Sequence, residues 1–262
     1  MIIIGEKING SIREIKAAIE RRDERFIRDL AKKQTEAGAD YLDVCAGTAS
    51  EIEAETLRWL TRVVQDTVDT PICIDSPNVR VIEEVLQCVR RAGIINSVSD
   101  EGENCDVVFS LVKGTQWQVI AQTINKDGIP ANPEGRLAIT EAIIDKALKY
   151  GISPDRLHID PLVAAISADN QSVLKFISSA TGIKNAFPTV KVTAAISNIS
   201  FGMPLRKVLN QHFYTLAVYA GLDSAVLDPC DSDMRVAILA AEALTGRDRF
   251  CRGFTNAYRL TH

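Results

Sequence analysis

Eight short apolar, β-branched runs recur along the chain, each closing on a polar or acidic residue: Glu6, Asp43, Asp75, Asn96, Gln122, Asp160, Asn198 and Asp228. The runs are Ile2 to Gly5, Tyr41 to Cys45, Pro71 to Asp75, Gly93 to Ser97, Gln118 to Ile124, Leu157 to Asp160, Val190 to Ile196 and Ser224 to Asp228. Between them apolar residues recur every three or four positions, the period of an amphipathic helix. Such alternation admits two architectures, a closed parallel barrel or a doubly wound open sheet. No GxGxxG follows the first run, and no GxxxxGK followed by Ser or Thr occurs, so the common nucleotide-binding open sheets lack support. The reading is therefore α/β, a (β/α)8 TIM barrel, and 262 residues is the usual size for one such domain spanning 1–262.

The spacing predicts helices over Ile12 to Ala39 (in two pieces near Arg22), Glu51 to Val68, Val79 to Arg91, Asn104 to Lys113 and Pro133 to Tyr150, then Ser172 to Ala186, Leu205 to Ala220 and Asp233 to Thr245. Ser50-Glu-Ile-Glu53 has capping-box spacing, Ser76-Pro77 reads as an N-cap with proline in the first turn, and Gly151 and Gly246 sit at expected helix stops.

In a barrel, the residue closing an inward-facing strand points over the axial mouth. The eight ends mix Asp and Glu with Asn and Gln, and hold no Lys, Arg or His. Such a rim suits a ligand rich in NH donors and suits a sugar phosphate poorly, since phosphate needs cations or an anion nest. An amino-pyrimidinone edge fits well, because one carboxylate accepts two parallel NH bonds while neighbouring amides both donate and accept.

Other chemistries are poorly served. With 30 Lys+Arg against 34 Asp+Glu and no long run of one sign, a nucleic-acid surface is not expected. No apolar stretch reaches the roughly 18 residues of a spanning helix, and the apolar start lacks a basic flank, so a cytoplasmic protein with no membrane association is expected. Cys45, Cys73, Cys88, Cys105, Cys230 and Cys251 are spread singly and read as reduced thiols, with Cys45 and Cys73 as small buried strand residues. His158, His212 and His262 are not spaced as ligands, HExxH is absent, and no protein-bound metal is expected; His158 reads as a packed residue. No GxSxG surrounds Ser197 or Ser200.

The ordered motifs Gly5-Glu-Lys-Ile-Asn9, Tyr41-Leu-Asp43, Cys73-Ile-Asp-Ser76, Ile95-Asn-Ser97, Asn125-Lys-Asp-Gly-Ile-Pro130, His158-Ile-Asp-Pro161 and Ser197-Asn-Ile-Ser200 resemble those of pterin-binding methyltransferases. Within that group the pattern is most similar to methyltetrahydrofolate:corrinoid protein methyltransferases, over nearly the whole chain. The resemblance implies a single pterin-binding barrel domain, homodimeric, taking tetrahydrofolate or 5-methyltetrahydrofolate as substrate. It also implies a corrinoid protein as partner supplying cobalamin, since no DxHxxG cobalamin motif is present. By the same resemblance Asp75, Asn96 and Asp160 bind the pterin, and Asn198 contacts the methyl-bearing ring nitrogen. Glu6 and Asp43 complete the polar network with Ser197, Asn125 is a weaker match, and Arg206 meets the folate tail or the corrinoid partner. Asn198, Asp75 and Glu6 are the implied catalytic residues, with Asn198 as a hydrogen-bond donor to developing charge and the proton arriving through water near Glu6 and Asp75. Dihydropteroate synthases share the Asp-Pro, but Asp160-Pro-Leu-Val-Ala-Ala165 has neither the glycine nor the lysine of their anion loop. A synthase-like pterin enzyme and a non-catalytic folate-binding module stay open as alternatives.

Overall fold

Eight parallel strands close on themselves in chain order, and the first pairs with the last through Ile2↔Ser224 to Gly5↔Leu227. This computed structural model describes residues 1–261, with side chains through Arg259; His262 lies outside them. The strands are β1 (Ile2–Asn9), β2 (Tyr41–Cys45), β3 (Ile72–Asp75), β4 (Ile94–Asp100), β5 (Gln118–Asn125), β6 (Leu157–Asp160), β7 (Lys191–Ala195) and β8 (Leu222–Leu227). The helices are α1 (Arg13–Glu20), α2 (Glu24–Glu36), α3 (Ser50–Gln65), α4 (Val79–Leu86), α5 (Asn104–Val112), α6 (Pro133–Lys149), α7 (Ser172–Ala186), α8 (Arg206–Tyr219), α9 (Ser232–Leu244) and α10 (Arg252–Thr261). The TIM barrel expected from the period switches is thus the fold.

Alternation along each strand sorts its side chains into two cores. Outward residues such as Ile8, Leu42, Val44, Ile74, Ile95, Val119 and Ile159 pack against the helices, which return faces such as Leu57, Leu60 and Val64 of α3. Burying one such side chain stabilises by roughly 1.5–3 kcal/mol, so this sleeve dominates the fold's cohesion. Inward residues Ile4, Cys73, Ile94, Ile120 and Val226 form a small separate core inside the barrel.

Several local expectations are corrected. The first helical segment does break at Arg22, which adopts φ 52°, and Asp23 caps α2 by accepting from the Phe26 NH at 3.1 Å. The capping box at Ser50 does not form: Ser50 is already helical, and Glu53 instead accepts from Ser76 Oγ at 2.6 Å. Asn78, not Ser76, caps α4, accepting from the Arg80 NH at 3.0 Å. β7 ends at Ala195, and a 3-10 turn over Ile196–Ser200 carries Asn198, so this residue does not close a strand. Helix α10 was not anticipated, because its segment has no strand before it.

β1 runs four residues beyond its expected end and contains a bulge between Gly5 and Ile8. Gly5 permits it: a Cβ there would lie 2.5 Å from Gln34 Oε1, which accepts from the Lys7 NH at 3.0 Å inside the bulge. The extra residue shifts the alternation, so Ile8 faces the helices while Glu6 and Asn9 both face the barrel mouth.

Candidate active site

The inner apolar core ends at Ile120 and Val226, which floor a cavity of about 400 Å³ at the C-terminal mouth. That is within the range for small-molecule sites. Its walls carry Glu6 and Asn9 of β1, Asp43 of β2, Asp75 of β3 and Asn96 of β4, with Asp160 of β6 opposite. Gln122 of β5 and the Ser197–Asn198 pair on the turn after β7 complete the ring. Among the described residues no Lys, Arg or His lines it.

The carboxyl groups are held under electrostatic tension. Burial pushes Asp160 up to about 6, opposed by the Leu162 NH, which its Oδ1 accepts at 2.8 Å, and by the nearby Arg136 charge. Burial pushes Asp75 up to about 6 as well, opposed by a hydrogen bond from the Cys45 thiol and reinforced by the Glu53 charge. Asp43 is raised well above its ordinary range by burial and then by the Asp75 charge, although Cys73 and Asn96 both donate to it, Asn96 Nδ2 at 3.2 Å. Burial raises Glu6, with Ser197 Oγ donating to its Oε2 at 3.0 Å. Such frustrated acceptors are relieved when a donor-rich ligand supplies NH groups.

Cys45 and Cys73 are therefore not merely small apolar residues. The register sets Asp43 beside Cys73 and Cys45 beside Asp75, so each thiol serves the carboxylate across the strand pair. Burial raises both thiols, keeping them protonated as donors.

Of the residues singled out in the sequence, Glu6, Asp43, Asp75 and Asn96 converge on this cavity with Asp160, Ser197 and Asn198. Asn125 does not line it; its Oδ1 accepts from the Asp127 NH at 2.9 Å in the loop after β5. Arg206 does not line it either: it donates to Ser197 O at 2.9 Å and Ser200 Oγ at 3.1 Å, clamping the turn that presents Asn198. Asp228 faces a neighbouring cavity and pairs with Lys7 at 3.2 Å. His158 is buried as expected, with Nδ1 on Ser224 Oγ at 2.7 Å, Nε2 on Gln118 Oε1 at 2.8 Å, and burial pushing it down to about 3.

Asn9 and Thr193 were missed. Asn9 needs the bulge to turn inward; Thr193 sits mid-strand, and its buried Oγ1 lacks a hydrogen-bond partner although the residue lines the cavity. On the β4–α5 side Ser99, Glu101 and Asn104 add a polar edge, with Ser99 Oγ donating to Glu101 at 2.9 Å. Among the described residues no group of His, Cys, Asp and Glu is placed to hold a metal ion, and no helix is long and apolar enough to cross a membrane.

A barrel whose mouth joins an apolar floor to a ring of carboxylates and amides defines a site for a flat, donor-rich heterocycle, and residues 14–228 match the family model described as pterin binding enzyme. The chain belongs to the pterin-binding enzyme family. Within it, the chain groups with the corrinoid- and tetrahydrofolate-dependent methyltransferases: it is 47% identical to the methylcorrinoid:tetrahydrofolate methyltransferase of Eubacterium limosum, over 99% of this chain and 96% of that protein. It is 28% identical to the methionine synthase of Mycobacterium leprae, over 87% of this chain but 20% of that much longer protein. Among solved structures, the dihydropteroate synthase of Coxiella burnetii in complex with pteroic acid superposes with a TM-score of 0.66, at 18% identity over 94% of each chain. The 7,8-dihydropteroate synthase of Vibrio fischeri does so with a TM-score of 0.67, at 15% identity over 93% of this chain and 92% of that one; both likenesses concern the fold.

Proposed function

We propose that the chain is a methyltransferase that moves a methyl group between the ring nitrogen of tetrahydrofolate and the cobalt of a corrinoid, with residues 1–262 acting as one pterin-binding barrel domain. The observation that carries this reading is the cation-free ring of carboxylates and amides over an apolar floor. Asp75, Asn96 and Asp160 take the NH-rich edge of the pterin, with Asp43 holding Asn96 in place and Thr193 supplying its unpartnered hydroxyl. Asn198, presented by the Arg206-clamped turn, donates to the methyl-bearing nitrogen.

The reaction is a displacement at carbon, so the protein positions the reactants and manages charge at nitrogen. When folate is methylated, the nitrogen lone pair forms the N–C bond, the Co–C bond breaks with its pair left on cobalt, and the nitrogen loses its proton. In reverse, cobalt's electron pair takes the methyl group and the departing nitrogen gains a proton. No protein nucleophile enters. The Asn198 amide holds its proton throughout and supplies a hydrogen bond that strengthens as charge develops. Glu6 and Asp75 are the titratable groups that serve the proton.

The corrinoid is a substrate carried on a separate protein: this chain has no DxHxxG motif, and His158 is fully engaged inside the barrel. The protein works in the cytoplasm. It pairs with a second copy of itself, and this pairing is supported by the exposed Leu216 and Tyr219 of α8 and Val236 and Leu244 of α9. Exposed Arg206 is suited to meet the folate tail or the corrinoid protein. The test follows the cobalamin spectrum after mixing enzyme with methylcobalamin plus tetrahydrofolate, or with cob(I)alamin plus methyltetrahydrofolate. Conversion between the two cobalt spectra is expected; constant spectra in both mixtures would remove the reading.

A further inference from the structure

The displacement leaves a proton to be moved at the pterin nitrogen, at a moment when a corrinoid-bearing protein covers the mouth of the barrel. This problem rests on the methyltransferase reading above. Behind the main cavity lies a second one of about 30 Å³, the size that holds a single water. Glu6 and Ser197 line both cavities. The small one is bounded further by Asn210 and Lys207 of α8, and by Asp228 and Asp231 between β8 and α9. Asn210 presents a buried Oδ1 with no hydrogen-bond partner, an acceptor that needs a donor such as water. At the outer end, Asp228 is 28% exposed in its side chain and pairs with Lys7.

We propose that this cavity holds a water which, with Ser197 and Glu6, forms a side path for the proton between the reacting nitrogen and solvent at Asp228. The covalent accounting is that of the displacement itself. In folate methylation the nitrogen's proton passes to the Ser197 hydroxyl as that hydroxyl's own proton passes to Glu6 Oε2, already hydrogen-bonded at 3.0 Å. Glu6 then gives its proton to the water, which passes one to Asp228 or bulk solvent; in demethylation every transfer reverses. No oxidant or further co-reactant is required.

The charges around Glu6 suit a group that gains and loses a proton. Asp228 faces it with negative charge and Lys7 and Arg206 with positive charge, the Glu6 charge in turn raises the neighbouring Asp43, and Lys207 and Asp231, paired at 3.1 Å, close the small cavity. Burial raises Glu6 from its ordinary value, the direction that favours a group passing protons near neutrality.

Two substitutions test the path from its two ends: Asn210→Leu fills the cavity and removes the orphan acceptor, and Asp228→Asn removes the outer carboxylate. Each variant is titrated with tetrahydrofolate, then mixed in single turnover with methylcobalamin on its carrier protein while the cobalt spectrum is followed across neutral pH. Folate affinity should stay at the wild-type level. The transfer rate should fall by roughly 10²-fold with a displaced pH profile, and imidazole or formate should restore part of it. Wild-type rates and profile in both variants would overturn the path, as would a rate loss with unchanged profile and no rescue, which marks a purely structural role. Should Asn210→Leu fail to fold, Asp228→Asn and a high-resolution crystal structure of the wild type decide: an empty cavity beside Asn210 overturns the proposal. If the wild type transfers no methyl group at all, the failure lies with the methyltransferase reading instead.

Discussion

The two ends of this barrel both hold buried polar groups, yet they are built on opposite principles. Near the strand starts, the Tyr41 hydroxyl accepts from Gln118 Nε2 at 2.7 Å, Gln118 Oε1 meets His158 Nε2, and His158 Nδ1 meets Ser224. Each group finds its complement within the protein, and His158 stays neutral, with burial pushing it down to about 3. At the opposite end Asp43, Asp75, Asp160 and Glu6 crowd acceptors together, all four raised by burial, and Thr193 has an orphan hydroxyl. A satisfied buried network holds a fold together; an unsatisfied one awaits a ligand that completes it.

The largest test of this contrast is Asn198→Ala. A donor aimed at developing charge typically contributes about 10²–10³-fold to rate, so single-turnover transfer should slow by that order while tetrahydrofolate affinity changes little. A variant that loses affinity and keeps its rate would place Asn198 in binding alone. Next comes Asp160→Ala, which removes an acceptor proposed for the pterin edge. A hydrogen bond to a charged group is worth about 1.5–3 kcal/mol, so the folate dissociation constant should rise roughly ten- to hundredfold in an isothermal titration. Unaltered affinity would detach Asp160 from the pterin. At the other end, His158→Leu strands Ser224 and Gln118, and should lower unfolding free energy by about 1–3 kcal/mol in urea melts without altering folate affinity. A change in affinity there would show that the closed network is part of the site after all.

The contrast also explains what could be read from residues alone. Asp75 and Asp160 were legible because a side-chain period of two puts a strand's last inward residue at the mouth, and Asn96, within β4 rather than at its end, faces the same cavity. Asn9 was not legible, because the bulge that turns it inward depends on the buried Gln34 side chain reaching Lys7 from another element. The capping box at Ser50 failed for a similar reason: Glu53 has a better partner in Ser76, 23 positions away in the chain. Thr193 and the thiols of Cys45 and Cys73 gain their roles only from cross-strand register. Local pattern reaches the fold and the ring of acceptors; the donors that tune that ring are set by tertiary neighbours.

The smallest expected effect is on the stability of the ligand-free protein, and it carries the sign of the contrast. Asp75 and Asp160 sit at about 6 in the folded chain, above their ordinary 3.8, so the folded state binds their protons more tightly than the unfolded state does. Their stabilising contribution is complete below 3.8 and is lost as pH rises through 6. The free protein should therefore melt at a lower temperature at pH 8 than at pH 5, each carboxyl contributing on the order of 1 kcal/mol over that range. Folate binding should run the other way, since the pterin edge needs ionised acceptors and binding weakens as pH falls through 6. Asp160→Asn removes one titrating group, so its melting temperature should depend less on pH and exceed that of the wild type at pH 8. A wild type whose ligand-free melting temperature instead climbs from pH 5 to pH 8, unaltered in slope by Asp160→Asn, would mean that the mouth is not strained, and its carboxylates would then be structural like the network at the other end.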